Sequence, residues 1–248
     1  MKFENTEVWG FDRALYGMRN PLESWNKNDT ITKLCDDCDD CYMSPCNHSV
    51  KIKYGNNIIT VVGENDLKLA QKLIRAGSEH RKFMRQIIAW VDITAPLYWW
   101  KEFDTYKIGT TSNSTSTMHK LSTTPITLKC FETDDLSEHI VWGSNGFPWS
   151  IEATVKTFIN ALEDLRKKYL QTKDKKYWKE LIRWLPESWL QTRTITMNYE
   201  NIYSIIRQRK DHKLNEWSGK DDSTKPNFIS WAKTLPYAEE LLFLDLEE

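Results

Sequence analysis

Arg209 and Asn198 are the residues of this 248-residue chain whose type and spacing point most directly to ligand chemistry. Read as a helix from about Met197 to Arg209, the segment turns Ile202, Ile205 and Ile206 inward. Asn198, four residues before Ile202, and Arg209, three after Ile206, fall on that same face. A polar side chain in line with a core stripe needs a partner. Arg209 is then either one half of a buried pair with a core carboxylate or a planar two-donor group for a ligand phosphate or carbonyl. The second candidate is the stretch 108–118, IGTTSNSTSTM, which has almost no apolar side chain. Its hydroxyls and backbone N–H groups suit a phosphate, but it lacks the spacing of a Walker loop or a dinucleotide fingerprint. Ser and Thr compete with backbone hydrogen bonding, so the stretch reads as a loop, either ligand-binding or merely solvated.

Cys35, Cys38, Cys41 and Cys46 read C-x2-C-x2-C-x4-C, with His48 beyond, and four soft ligands so close could hold zinc or an iron–sulfur cluster. Two features argue the other way. Asp36, Asp37, Asp39 and Asp40 lie between them and raise the thiol pKa values, and two well-separated ligand pairs are absent. The expectation is an acidic loop without a metal. The histidines, His48, His80, His119, His139 and His212, form no HExxH helix, and no GxSxG elbow accompanies them. His80 is retained because Gly77-Ser78-Glu79-His80 sits at an element boundary.

Several elements must position these groups. Residues 1–49 carry turn signals and the cysteine cluster, and read as short helices or loops. Val50 to Val62 reads as a hairpin around Gly55-Asn56. Asn65 or Asp66 can cap a helix with Leu67, Ala70, Leu73 and Ile74 on one stripe, ended by Gly77. Ile87 to Ile93 reads as a largely buried strand, feeding a helix that begins after Pro96. From Ser150, a cap, the longest periodic segment places Ile151, Val155, Phe158, Ile159, Leu162, Leu165 and Tyr169 on one face, with Glu163 and Lys167 paired one turn apart. Further helices are expected over Lys175 to Trp184, Met197 to Arg209, and about Asn227 to Phe243.

Composition bounds the class. With 40% hydrophobic and 28% charged residues the chain should fold, and its length suits one domain over 1–248, with 1–49 as a loop-rich N-terminal part. Lys plus Arg total 34 against 35 acidic residues, so no global field draws nucleic acid or anionic membrane, and neither is expected as a partner. No apolar run approaches a membrane span, MKFENTEVWG lacks a signal-peptide layout, and the clustered cysteines do not resemble a disulfide framework, so the reading is cytoplasmic. Twelve tryptophans read as packing in the core and at an oligomer interface.

Two separated segments resemble the flavin-dependent thymidylate synthases, a family whose motif runs R-H-R-x-x-S-x-N-E-x-S-x-R. Here Ile93-Thr94-Ala95-Pro96-Leu97 precedes Thr105-Tyr106-Lys107, Thr110, Ser112-Asn113, Thr115 and Thr117 at the motif positions. Later, Leu185-Pro186, Asn198 and Arg209 follow the family's spacing, and Glu200 stands where the family commonly has an arginine. The resemblance implies an α+β fold with a mainly antiparallel sheet and several long helices. It implies FAD contacts at His80, Lys107, Thr110, Ser112, Asn113 and Asn198. It places the pyrimidine nucleotide, dUMP or a relative, against Lys101, Glu102, Thr115 and Arg209, with Arg209 also the catalytic residue. NADPH and methylenetetrahydrofolate would be co-substrates, and the assembly a homotetramer. Replacing motif arginines by Thr105 and Thr117 removes bidentate donors, each worth about 1.5–3 kcal/mol. The alternative is therefore a non-catalytic ligand-binding or assembly protein that kept the fold and lost the flavin.

Overall fold

The computed structural model describes residues 1–34, 58–134, 136 and 140–246. The cysteines from Cys35 to Cys46, His48, His139 and the turn of the hairpin expected at 50–62 lie outside the described residues. In chain order the elements are β1 Lys2–Trp9, α1 Phe11–Gly17, β2 Ile31–Leu34, β3 Ile58–Val61, α2 Glu64–Arg75, β4 Ile88–Pro96, α3 Leu97–Phe103, β5 Thr111–Ser114, α4 Thr117–Lys120, β6 Ile140–Trp142, β7 Pro148–Ser150, α5 Ile151–Thr172, α6 Lys175–Arg183, β8 Leu190–Asn198, α7 Tyr199–Arg209, α8 Asn215–Ser218 and α9 Phe228–Lys233. The largest sheet has the order β1-β4-β8-β5, while β2 with β3 and β6 with β7 form antiparallel ribbons. The result is an α+β fold. By Cα proximity the chain forms two compact units: Lys2–Ile93, Tyr106–Ser112 and Thr194–Glu248 make one, and Met1, Thr94–Thr105 and Asn113–Arg193 the other.

The first of these units has its core on α1, β4 and α7. Phe11, Leu15, Met84, Ile87, Tyr199 and Trp217 are fully buried there, and Phe11 meets Tyr199 edge-on at 5.3 Å. β4 is not buried on both faces as expected. Ala89, Val91 and Ile93 are buried while Trp90 is exposed, so the apolar run of the sequence resolves into a one-faced strand. The residue N-terminal to α2 is Gly63, not Asn65 or Asp66. The Asp29 carboxylate accepts the N–H groups of Asn65 (2.9 Å) and Asp66 (3.0 Å), capping the helix from another segment. That releases the buried Asp66 carboxylate to accept from Arg19 Nε (2.6 Å), Asn28 Nδ2 (2.7 Å), and the backbone N–H groups of Asp29 (3.1 Å) and Thr30 (2.9 Å). The described part of 50–62 pairs with an earlier segment, Ile31 opposite Val61 through Leu34 opposite Ile58. β1 was not signalled by the pattern because only Val8 along it is buried.

The helix expected over 227–243 is broken. Asn227 caps α9 as a cap should, accepting from Ser230 N at 2.7 Å, but the helix ends at Lys233. Pro236 has no N–H to continue it, and Tyr237 turns the chain at φ 50° into a separate π-turn, Ala238–Leu242.

In the second unit Leu121, Ile126, Phe131, Ile159, Leu162 and Leu181 form one buried cluster. Ser150 caps α5, its hydroxyl accepting from Ala153 N at 3.2 Å. Of the expected stripe only Ile159 and Leu162 are fully covered, and Phe158 is exposed. The closer partner of Glu163 is Arg166 (Nε 2.7 Å), with Lys167 at 3.9 Å. The hydroxyl-rich stretch also departs from the loop reading. Thr111–Ser114 is a strand whose four residues are all exposed, and Ser116 caps α4. Backbone pairing with β8 outweighs the Ser/Thr competition there, although only Thr111 of the four residues is β-branched.

Candidate functional site

β8 and α7 meet at Asn198, and this junction organises the candidate site. The sequence reading put Asn198 on the inward face of a helix beginning near Met197. It is instead the last residue of β8 and the N-cap of α7. Asn198 Oδ1 accepts from Asn201 N (2.9 Å), and Asn201 Oδ1 accepts from Asn198 N (3.2 Å), a reciprocal capping box built from two amides. A helix cap satisfies the polar group that periodicity alone had left needing a partner.

Tyr106–Ser112 lies along α7. At the helix start Asn201 Nδ2 donates to Ile108 O at 2.7 Å. At the helix end Arg209 Nε donates to Tyr106 Oη at 2.7 Å, and the Arg209 guanidinium lies over the buried Trp217 indole at 4.8 Å and over the Tyr106 ring at 5.6 Å. Between these fixings Gly109 turns at φ 77°, and a Cβ there would come within 2.8 Å of both Asn198 Nδ2 and Asn201 Oδ1. Thr110 Oγ1 donates to Tyr106 O, while the Lys107 ammonium is on an exposed residue of the same segment. Arg209, Asn198, Lys107 and Thr110 are therefore brought together around one helix and one strap.

Glu200, in the first turn of α7, shows what the charge reversal does. Its carboxylate accepts from Arg81 Nε (3.1 Å) and from Arg85, so the position expected to bear a cation instead binds two of them. The hydrogen bond to Glu200 holds the Arg85 guanidinium above its usual pKa. Arg81 and Arg207 both lie over the Tyr203 ring, at 4.7 and 3.3 Å. Arg207 also donates to the carbonyls of Leu242 (2.8 Å) and Leu244 (2.7 Å). Burial lowers the Arg207 pKa, yet a guanidinium stays charged at neutral pH and serves as a donor, not a base.

The other expected site residues are distributed elsewhere. His80 is exposed and immediately precedes the 3-10 turn Arg81–Gln86. Ser112 belongs to β5, in the same unit as Arg209, and Asn113 and Thr115 to the other unit. Lys101 and Glu102 lie on α3, where Lys101 Nζ meets Glu187 Oε1 at 2.6 Å on the surface. Thr115 N donates to Thr192 O at 2.9 Å. Tyr106, Asn201 and Trp217 are contacts of the site that sequence reasoning did not select. Tyr106 was visible only as the residue at the motif's histidine position, and nothing in the sequence spacing brings residue 217 near 209.

No family model matches the chain, and no curated protein matches it by sequence. Its class is α+β with antiparallel pairing, and among solved structures it shares the fold of flavin-dependent thymidylate synthase. The crystal structure of ThyX from Helicobacter pylori complexed with FAD and dUMP is 16% identical, with a TM-score of 0.58 and 100% of both chains covered. A second crystal structure of ThyX from the same organism, with FAD and dUMP, is also 16% identical, with a TM-score of 0.56 over 97% of this chain and 98% of that one. The likeness is one of fold.

Proposed function

We propose that this chain is a flavin-dependent thymidylate synthase-like enzyme that transfers a one-carbon unit to a pyrimidine nucleotide, dUMP or a relative. The observation carrying this reading is the end-to-end fold similarity to ThyX structures that hold FAD and dUMP. The donor chemistry suits a phosphorylated cofactor. Thr111–Ser114 is exposed on a strand at the end of the sheet order, with hydroxyl and amide side chains, and Lys107 and Thr110 directly precede it. Lys107, Thr110, Ser112, Asn113, Asn198 and His80 would hold FAD, and Lys101, Glu102, Thr115 and Arg209 the nucleotide. When bound, reduced flavin supplies the hydride and carries the one-carbon unit from methylenetetrahydrofolate, with NADPH as reductant. Arg209 orients the nucleotide and stabilises charge developing on it, while Tyr106 and Trp217 fix its guanidinium plane. In this reading residues 1–248 act as one domain in a cytoplasmic homotetramer, without nucleic-acid or membrane partners.

A second reading is favoured by one observation: Glu200 stands where a cation was expected and binds Arg81 and Arg85. It makes the chain a non-catalytic ligand-binding or assembly protein. The absorption spectrum of freshly purified protein separates the two, with a flavin band expected for the enzyme. Arg209→Lys keeps the charge and loses the planar fork, so dUMP affinity should fall by about 1–3 kcal/mol with little change in Tm. Unchanged dUMP binding together with a large fall in Tm for Arg209→Ala would move the assignment to the non-catalytic reading.

A further inference from the structure

Away from the α7 strap, the unit containing Lys2–Ile93 has a cleft of about 830 Å³ between the end of α1, α2 and the turn Arg81–Gln86. Leu69, Leu73 and Phe83 give it an apolar lining, and Leu22, 81% exposed, adds an apolar edge. The charged lining is mixed, with Lys27 and Lys82 as exposed cations and Glu79 as an exposed acid. Arg19 also lines it and is only 4% exposed. Its Nε is committed to Asp66 at 2.6 Å, which offsets its charge, but its buried Nη2 has no hydrogen-bond partner among the described residues. A buried N–H left unmade is unfavourable, and its partial positive charge lies behind the cleft wall at Arg19. Apolar walls with cations on the rim and an unmet donor match one ligand chemistry, an amphipathic organic anion.

We propose that this cleft binds a small organic acid with an apolar body, its hydrocarbon against Leu69, Leu73 and Phe83 and its acid group drawn by Lys27, Lys82 and the Arg19 guanidinium. Of the residues given to FAD and the nucleotide above only His80 lines this cleft, and the proposal is that both are held elsewhere.

The test is a fluorescence titration of the full chain with 1-anilinonaphthalene-8-sulfonate, an amphipathic anion, with octanoate and octanol as competitors. One saturable site is expected. The double variant Lys27→Glu with Lys82→Glu should weaken it about tenfold at unchanged Tm, since both side chains are exposed and each reversal turns attraction into repulsion. Octanoate should displace the dye, and octanol at equal concentration should not. Trp142→Ser, which removes a large exposed aromatic of β6 in the other unit, should leave the site intact. Equal competition by octanol, indifference to the charge reversal, or loss of dye binding in Trp142→Ser would each overturn the proposal. Displacement by FAD or dUMP would also overturn it, by making the cleft part of the nucleotide and flavin site.

Discussion

α5 and α7 both carry an apolar stripe at helical spacing, yet they earn their stability differently. α7 buries Ile202, Ile205 and Ile206 completely beside Tyr199. α5 is twice as long, 22 residues against 11, but buries only Ile159, Leu162 and Arg166. Its first turns leave Ile151 and Phe158 exposed, and it leans on the Ser150 cap and the Glu163–Arg166 pair. Periodicity tells which face of a helix is apolar; it does not tell how much of that face another element will cover.

Four substitutions sharpen this contrast. The largest effect is expected for Ile205→Ala, which leaves a void in a closed core and should cost about 2–5 kcal/mol in denaturant unfolding. A cost below that of the α5 substitutions would reverse the ranking of the two helices.

Next is Glu163→Gln, at about 1–3 kcal/mol, because Arg166 then keeps its charge with a neutral partner. Its effect should depend on pH. The hydrogen bond from Arg166 lowers the Glu163 pKa, outweighing burial, which acts to raise it, and Ile126 N and Lys167 add to the lowering. A carboxylate with a depressed folded pKa contributes fully above its unfolded value of about 4.3 and loses that contribution as pH falls through the folded value. Melting curves of the two proteins should therefore differ most near neutrality and converge in acid. A gap that widens below that value would contradict the assignment.

Ser150→Ala removes one cap and should cost about 1 kcal/mol. The smallest effect belongs to Phe158→Ser, an exposed site, with a stability change within about 0.5 kcal/mol. A Tm loss as large as that of Ile205→Ala would show that Phe158 is covered by another chain in solution.

How much the sequence disclosed follows the same logic. Local chemistry was readable: Ser150 caps α5 as expected, a helix begins directly after Asn227, and another begins at Leu97 directly after Pro96. What stayed hidden depended on distant partners. β8 escaped notice because its inward row runs Gln191, Arg193, Ile195, Met197, half of it polar. The structure satisfies those two: Gln191 Nε2 donates to Thr115 O (2.9 Å), and Arg193 Nε donates to Gln191 Oε1 (2.9 Å) while its Nη1 pairs with Asp104 (2.7 Å) and its guanidinium lies over Trp100 (4.3 Å). No period of two in apolar character could reveal a strand whose buried row is held by a hydrogen-bonded chain. At the candidate site, helical spacing and the family motif both point to Arg209, and the structure sets it beside Tyr106. Asn198 rests on the same two grounds, and the structure makes it the N-cap of α7 and not an interior helix residue.

The contact of Gly109 with the two cap amides bears on how this chain can drift in evolution. Any side chain at 109 would need both an unfavourable left-handed backbone and a shift of the Asn198 and Asn201 amides that make up the cap. Either amide is in turn fixed by its reciprocal bond with the other. These three positions should therefore change together or not at all, and a glycine followed at this distance by Asn-x-x-Asn becomes a fingerprint for finding relatives too remote for overall identity to reveal.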